Sequence, residues 1–127
     1  MVILKGILKG NSKMFTATEY LDAFNNAFVK KDQSYLDAIM ADNCKIHFTG
    51  LNETMTRGEC LDWSETGFCG GCADYVIIQD TNDSIAGTHS AWGTSEDGEW
   101  RSNCFFFAKK AGDKITEWYV HARPIVA

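Results

Sequence analysis

The second half of the chain alternates apolar segments of eight to ten residues with short turns. Each turn contains Gly, Asp or Asn, which readily reverse the direction of a strand. The pattern predicts four consecutive antiparallel strands, with the sequences ADYVIIQD, SIAGTHSAWG, WRSNCFFFA and KITEWYVHA. Such a meander requires a sheet in which strands that follow each other in the chain are also neighbours in space.

The first half is predicted to be mainly helical. Two segments, Thr16 to Glu19 and Thr56 to Glu59, have the form of a capping box, which marks the first turn of a helix. Between these two helices, Asp32 or Ser34 can cap another short helix, and CKIHF is typical of a strand. Helices followed by an antiparallel meander predict an α+β domain with the helices on one face of a curved sheet.

Apolar residues at helical spacing predict the buried faces. The stripe of the first helix consists of Tyr20, Leu21, Phe24, Ala27 and Phe28. The stripe of the second consists of Tyr35, Leu36, Ile39 and Met40, and the third helix carries Leu61 and Trp63.

The composition argues against several classes of protein. A chain of 127 residues, 45% hydrophobic, has the size of a single domain, 1–127, in which 1–13 are a loose arm or an edge strand. A net charge of -5 without a basic run disfavours nucleic acid as a partner. The first segment is interrupted by Lys5 and Lys9, which disfavours a signal peptide or a membrane span. With five cysteines, an odd number, we expect reduced thiols and a cytoplasmic location.

The strand from Cys104 to Ala108 is strongly apolar on both faces, because neighbouring side chains of a strand point in opposite directions. The helices can cover only one of these faces. We therefore predict a homodimer through the outer face of the sheet, with cover by a loop or by the N-terminal arm as the alternative.

Four short sequences, in this order, resemble those of a known superfamily: MADNCKIHFTG, TRGECLDW, AGTHSAWG and GDKITEWYV. From about Thr18 to its end the chain is similar to the NTF2-like or SnoaL-like superfamily of cone-shaped α+β barrels. The resemblance implies a cavity between the helices and the concave sheet. The superfamily includes ketosteroid isomerases, polyketide cyclases, dehydratases and epoxide hydrolases, and also transport factors and binding modules without chemistry.

The resemblance also directs the search for a catalytic base. In the cyclase branch the base is an aspartate near the end of the last strand, and the corresponding position here is Arg123, which cannot abstract a proton at neutral pH. The remaining candidates are His121, His89 and Glu117. Glu117 and His121 lie on one face of the last strand together with Tyr119, if no bulge intervenes. The alternative is that these histidines lie at strand ends or in the dimer interface.

Further residues are predicted to contact a ligand. Tryptophans supply flat apolar walls for small-molecule pockets, although any one of them can equally belong to the core or to an interface. The predicted ligand-binding residues are Tyr20, His47, Trp63, Trp92, Trp118, Tyr119 and Arg123.

The segment GFCGGC places Cys69 and Cys72 at the spacing of a redox pair or of half a zinc site. A redox pair usually follows a strand and begins a helix, whereas this segment follows a helix. A zinc site needs two further ligands, and the sequence contains no second pair at this spacing. We expect a flexible connection, able to act as a lid, and no metal.

The sequence is compatible with three functional hypotheses. The first is an isomerase, cyclase or dehydratase that uses neither a metal nor an organic cofactor. The second is a protein that binds a small, ring-containing molecule without turning it over. The third is a dimeric interaction module whose cavity is filled by its own side chains.

Overall fold

The computed structural model describes residues 15–125, so the expectation for 1–13 lies outside the described residues. Within that part, the helices are α1 (Ala17–Lys30), α2 (Ser34–Asp37) and α3 (Arg57–Thr66). The strands are β1 (Met40–Phe48), β2 (Glu53–Thr56), β3 (Cys69–Asp80), β4 (Ser84–Ser95), β5 (Gly98–Ala111) and β6 (Lys114–Pro124). No helix in residues 15–125 is both long and apolar enough to cross a membrane.

Both predicted capping boxes form. The Thr16 hydroxyl accepts a hydrogen bond from the Glu19 amide at 3.2 Å, and the Glu19 carboxylate accepts one from the Thr16 amide at 2.8 Å. Thr56 and Glu59 make the same pair of bonds at the start of α3. These bonds satisfy amides that the helix cannot pair internally, which is why the two helices begin where the sequence predicts.

Helix α2 is shorter than predicted and ends at Asp37. Ile39 and Met40 are buried, but they belong to the entry into the sheet and not to a helical stripe. The Ile39 carbonyl accepts a hydrogen bond from the Ile115 amide at 2.7 Å, and Met40 begins β1. Pairing with the last strand therefore overrides the local helical pattern here.

The six strands form one curved, open sheet in the order β2-β1-β6-β5-β4-β3. Only the β1–β6 pair is parallel among these strands, and the other neighbours are antiparallel. Helix α1 packs on the inner face of the sheet, where Phe24 contacts Trp118 with ring centroids 4.7 Å apart. Trp118 in turn stacks on Phe106 at 5.0 Å. The α+β class predicted from the sequence is confirmed.

A bulge in β6 sets which side chains face inward. Lys109 pairs with Glu117, but Lys110 pairs with Ile115, so Thr116 is an extra residue in β6. Ile115 and Trp118 therefore both face inward although three positions separate them. Glu117 and every second residue after it face outward.

The prediction of a flexible connection at GFCGGC is wrong. Helix α3 ends at Thr66, and β3 already begins at Cys69. Cys69 pairs with Gly93 and Cys72 pairs with Ala91, with a register shift at Gly70 between them. Because of this shift, both thiols lie on the inner face of the sheet, and both are buried.

Candidate functional site

A cavity of about 240 Å³ lies between the helices and the inner face of the sheet. Helix α1 supplies one wall, α3 supplies another, and strands β1 and β3 to β6 supply the remainder. The lining residues are apolar or weakly polar: Leu21, Phe24, Phe28, Ile46, Phe48, Leu51, Trp63, Cys69, Cys72, His89, Ala91, Trp100, Ser102, Cys104, Trp118, Val120 and Ala122. No Asp, Glu, Lys or Arg among the described residues lines it, so its interior is suited to uncharged groups.

Leu51 and Ala122 mark the open end of the cavity. Both line it, yet the Leu51 side chain is 69% exposed and Ala122 is also exposed. The mouth therefore lies between the turn after β1 and the far end of β6. An apolar side chain in such an exposed position is available to contact a ligand that enters.

His89 is the titratable imidazole of the cavity wall. Its Nδ1 lies 3.0 Å from the carbonyl oxygen of Ser90. A carbonyl can only accept, so Nδ1 carries the proton, and the neutral ring has its lone pair on Nε2. Burial lowers the pKa of His89 and favours this neutral form, although the bond to Ser90 acts in the opposite direction. Among residues 15–125, no partner forms a hydrogen bond with Nε2.

Three thiols also line the cavity, on β3 and β5: those of Cys69, Cys72 and Cys104. Burial raises the pKa of Cys72 to about 12 and that of Cys104 to about 11, and it also raises the pKa of Cys69. Protonated thiols are weak nucleophiles, so they serve here as small, polarisable wall groups. Within residues 15–125, no group of His, Cys, Asp or Glu side chains is arranged to hold a metal ion.

The structure brings three of the residues predicted for the site to the cavity: His89, Trp63 and Trp118. Trp63 reaches the cavity from α3. Its ring centroid lies 4.7 Å from that of Phe28 and 5.6 Å from that of Phe48. Four other predicted residues do not reach the cavity: Glu117, Tyr119, His121 and Arg123. They alternate along β6 with Trp118, Val120 and Ala122 and therefore lie on the outer face of the sheet.

On the outer face, Glu117 is the centre of a small polar cluster. His47 Nε2 donates to its carboxylate at 2.9 Å, and the Tyr119 hydroxyl donates to it at 3.3 Å. The hydrogen bond from His47 is the main cause that lowers the pKa of Glu117. His47 also stacks on Tyr119, with ring centroids 4.5 Å apart. His47, Glu117 and Tyr119 thus contact one another, but not the cavity.

Tyr20 and Trp92 occupy structural positions outside the cavity lining. The Tyr20 hydroxyl donates to the Asp113 carbonyl at 2.8 Å, which ties α1 to the turn between β5 and β6. Burial raises the pKa of Tyr20 to about 12. Trp92 packs over Gly70 and Gly71 of the neighbouring strand, where an added Cβ would come within 3.3 Å and 2.7 Å of its ring.

Comparison with known proteins identifies the fold. No protein-family model and no curated protein matches this sequence. A candidate ketosteroid isomerase from Kribbella flavida is 14% identical, with a TM-score of 0.68 over 87% of this chain and 77% of that one. A protein with a ketosteroid isomerase-like fold from Catenulispora acidiphila, in complex with trimethylamine, is 14% identical, with a TM-score of 0.67 over 80% of this chain and 83% of that one. BvnE pinacolase from Penicillium brevicompactum is 11% identical, with a TM-score of 0.64 over 84% of this chain and 82% of that one. The chain has the NTF2-like fold.

Sequence reasoning missed part of the NTF2-like cavity. The spacing of Cys69 and Cys72 does not predict that both thiols line the cavity, because the register shift at Gly70 that turns them inward cannot be read from it. The helical pattern of Phe24 and Phe28 predicts only the buried stripe of α1. A signal for them existed, since the stripe of a helix that covers a concave sheet must also form the roof of any cavity beneath it.

Proposed function

We propose that the protein binds a small, uncharged, ring-containing organic molecule in the cavity of its NTF2-like fold. The observation that carries this proposal is the 240 Å³ cavity, which is lined by aromatic and aliphatic side chains and by one neutral imidazole. An apolar cavity of roughly 150 Å³ already accepts benzene, so this one has room for a substituted ring. The trimethylamine complex of the Catenulispora protein supports the use of this fold for small ligands.

The cavity wall also indicates which polar groups the ligand carries. Because Nε2 of His89 has a lone pair and no hydrogen-bond partner in residues 15–125, a ligand with one O–H or N–H donor gains a hydrogen bond there. A carboxylate ligand would instead lose its hydration without finding a cation in the wall. We therefore expect phenol to bind more tightly than toluene, and benzoate to bind most weakly.

Binding can be measured by isothermal titration with phenol, toluene and benzoate. Filling the cavity in Ala91→Phe should abolish binding of all three probes. Since Ala91 is buried and this variant could fail to fold, Ala122→Phe at the exposed mouth provides a second test. Ala111→Phe, at an exposed position away from the cavity, is the matched control and should bind like the wild type. Equal binding in Ala122→Phe and Ala111→Phe would contradict the proposal.

A second candidate function is proton abstraction next to a carbonyl group, with His89 as the base. The neutral imidazole favours it, because burial lowers the pKa of His89 and a base must be unprotonated to accept a proton. Ser102 lines the same cavity and lies diagonally across from His89, since Cys104 pairs with His89 and Ala91 pairs with Ser102. Its hydroxyl would donate to the developing enolate oxygen. The fold is also used by the candidate ketosteroid isomerase and the pinacolase.

Hydrogen–deuterium exchange separates an enzyme from a binder. The wild type should accelerate exchange of the acidic protons of 2-indanone in D₂O, followed by proton NMR. His89→Gln should lose about a hundredfold of that acceleration or more. His121→Gln, on the outer face, should retain it. Equal exchange in the wild type and in His89→Gln, together with binding of phenol by the wild type, would leave the protein as a binder only.

We also propose that a second copy of the chain covers part of the outer face. Val76, Ile78 and Phe105 form an apolar patch there and are 57%, 64% and 51% exposed. Val76 pairs with Thr88, and Thr88 pairs with Phe105, so the patch crosses three adjacent strands. A patch on a sheet face can pair with its own copy about a two-fold axis, which supports a homodimer.

A further inference from the structure

A groove of about 470 Å³ lies on the outer face of the sheet, and among its described residues only His89 and Cys104 also line the cavity. Its residues include Asp74, Thr88, Arg101, Asn103, His121 and Arg123. On β5 and β6 these residues alternate with Ser102, Val120 and Ala122, which line the cavity on the other side. The groove adjoins the apolar patch and shares only Phe105 with it.

Two arginines stand side by side in this groove. Arg123 lies directly opposite Asn103, and Arg101 lies two residues before Asn103 on the same face of β5. Arg101 and Arg123 are therefore diagonal neighbours, a relation that places Cα atoms about 7–8 Å apart, within reach of a shared ligand. Because like charges at this distance repel, their juxtaposition favours an anion between them.

Neither guanidinium has an ion pair or a side-chain hydrogen bond within residues 15–125. Two other cations of the described chain do form ion pairs, since Arg57 contacts Asp37 and Lys109 contacts Glu117. Asp74, the one acid among the described residues of the groove, accepts a hydrogen bond from the Ser90 hydroxyl at 2.8 Å and makes no ion pair with either arginine. In a chain of net charge -5, this is a local excess of positive charge that residues 15–125 do not neutralise.

The neighbouring groups complete an anion site. The Asn103 amide can donate a neutral hydrogen bond between the two arginines, and Thr88 lines the same groove. His121 is held by its Nδ1, which lies 3.0 Å from the Thr49 hydroxyl. Planar guanidinium groups bind carboxylate and phosphate oxygens with two parallel hydrogen bonds each.

We propose that the groove formed by Arg101, Asn103 and Arg123 binds an organic carboxylate or phosphate. The site is complete within one copy of the chain and is chemically opposite to the cavity, which excludes such groups. A protein with both sites can hold an uncharged molecule on the inner face and an anion on the outer face of the same strands.

The test is an NMR titration of the amide groups with inorganic phosphate and with succinate, each against sodium chloride at equal ionic strength. The expected result is saturable shifts at Thr88, Asn103 and Arg123 with at least one of the two probes. The relative affinities of the two probes then assign the oxyanion class. No saturable shift with either probe, or equal shifts with chloride, would overturn the proposal.

Charge variants test the assignment to the two arginines. The double variant Arg101→Gln, Arg123→Gln should bind the preferred probe at least about tenfold more weakly, since hydrogen bonds between charged groups are the strong ones. Lys45→Gln removes an exposed cation from the same sheet face but outside the groove, and should bind like the wild type. Arg101→Lys, Arg123→Lys should recover part of the affinity, because lysine keeps the charge but not the planar fork. An equal loss in Lys45→Gln and in the double glutamine variant would show only a general effect of charge and would refute the site.

Discussion

The inner and outer faces of strands β4 to β6 share one backbone and differ in almost every chemical property. The inner face carries Trp118 and His89, which line an uncharged cavity, and Phe106, which packs against both. The outer face, one residue out of phase, carries Arg101 and Arg123 together with the polar cluster around Glu117. The difference teaches that a sheet open on one side can support two binding chemistries, provided that the register of its strands is fixed.

The largest expected effect compares neighbouring aromatic residues on the two faces. Trp118→Ala should lower the free energy of unfolding by about 3–5 kcal/mol, because it removes a buried ring that packs on Phe24 and Phe106. Tyr119→Ala, one residue later on the outer face, should cost only about 1 kcal/mol. Urea unfolding measures both. Similar losses in the two variants would show that the outer face is as well buried as the inner one.

The next effect concerns the wall that α3 supplies to the inner face. A Cβ at Gly67 would lie 2.1 Å from Cδ1 of Trp63, so Gly67→Ala must displace that ring. We expect a loss of about 1–3 kcal/mol in the free energy of unfolding and weaker binding of phenol. Gly58→Ala, in the first turn of α3, meets no atom within 4 Å and should be neutral or more stable by up to about 1 kcal/mol. If the two variants behave alike, Trp63 is not fixed against Gly67.

A smaller effect tests whether the outer face is covered by a second copy. Phe105→Ser should raise the dimer dissociation constant about tenfold, which corresponds to about 1.4 kcal/mol. Lys45→Ser, exposed on the same face but outside the patch, should leave it unchanged. Sedimentation velocity over a range of protein concentrations measures the constant. A wild-type protein that stays monomeric at every concentration would contradict the dimer.

The smallest effect is the pH dependence contributed by His89. Burial lowers its pKa in the folded state, so below about pH 6.5 the unfolded chain takes up a proton that the folded chain does not. Stability should therefore fall as the pH decreases from 7.5 to 5.5, with a slope from this group of at most about 1.4 kcal/mol per pH unit. His89→Gln should remove that component, whereas the remaining histidines are the same in both proteins. Equal slopes in urea unfolding would indicate that His89 is solvated in the folded state.

Local patterns were sufficient to predict most elements of the fold. The boxes at Thr16 and Thr56 fix the helix starts, because their hydrogen bonds involve residues only three positions apart. The turn sequences between strands β3 and β6 fix the meander for the same reason. Strand β2 and the true length of α2 were missed, because both depend on pairing with residues far away in the sequence.

The site was harder to predict because it depends on which face of each strand turns inward. The alternation correctly placed Glu117, Tyr119 and His121 on one face of β6. Strict alternation would also place Ile115 on that face, because it ignores the extra residue at Thr116. A bulge is set by packing and pairing across the sheet, so the local sequence does not predict it.

The parallel pairing of β1 with β6 has a consequence for the growing polypeptide. Strand β6 lies between β1 and β5 in the sheet and brings Trp118 and Val120 to the cavity. In a nascent chain on the ribosome, the sheet beneath α1 is therefore incomplete until residues 114–124 have been synthesised. Until then Phe24 and Phe28 of α1 are exposed, and the chain most needs protection from aggregation during this period.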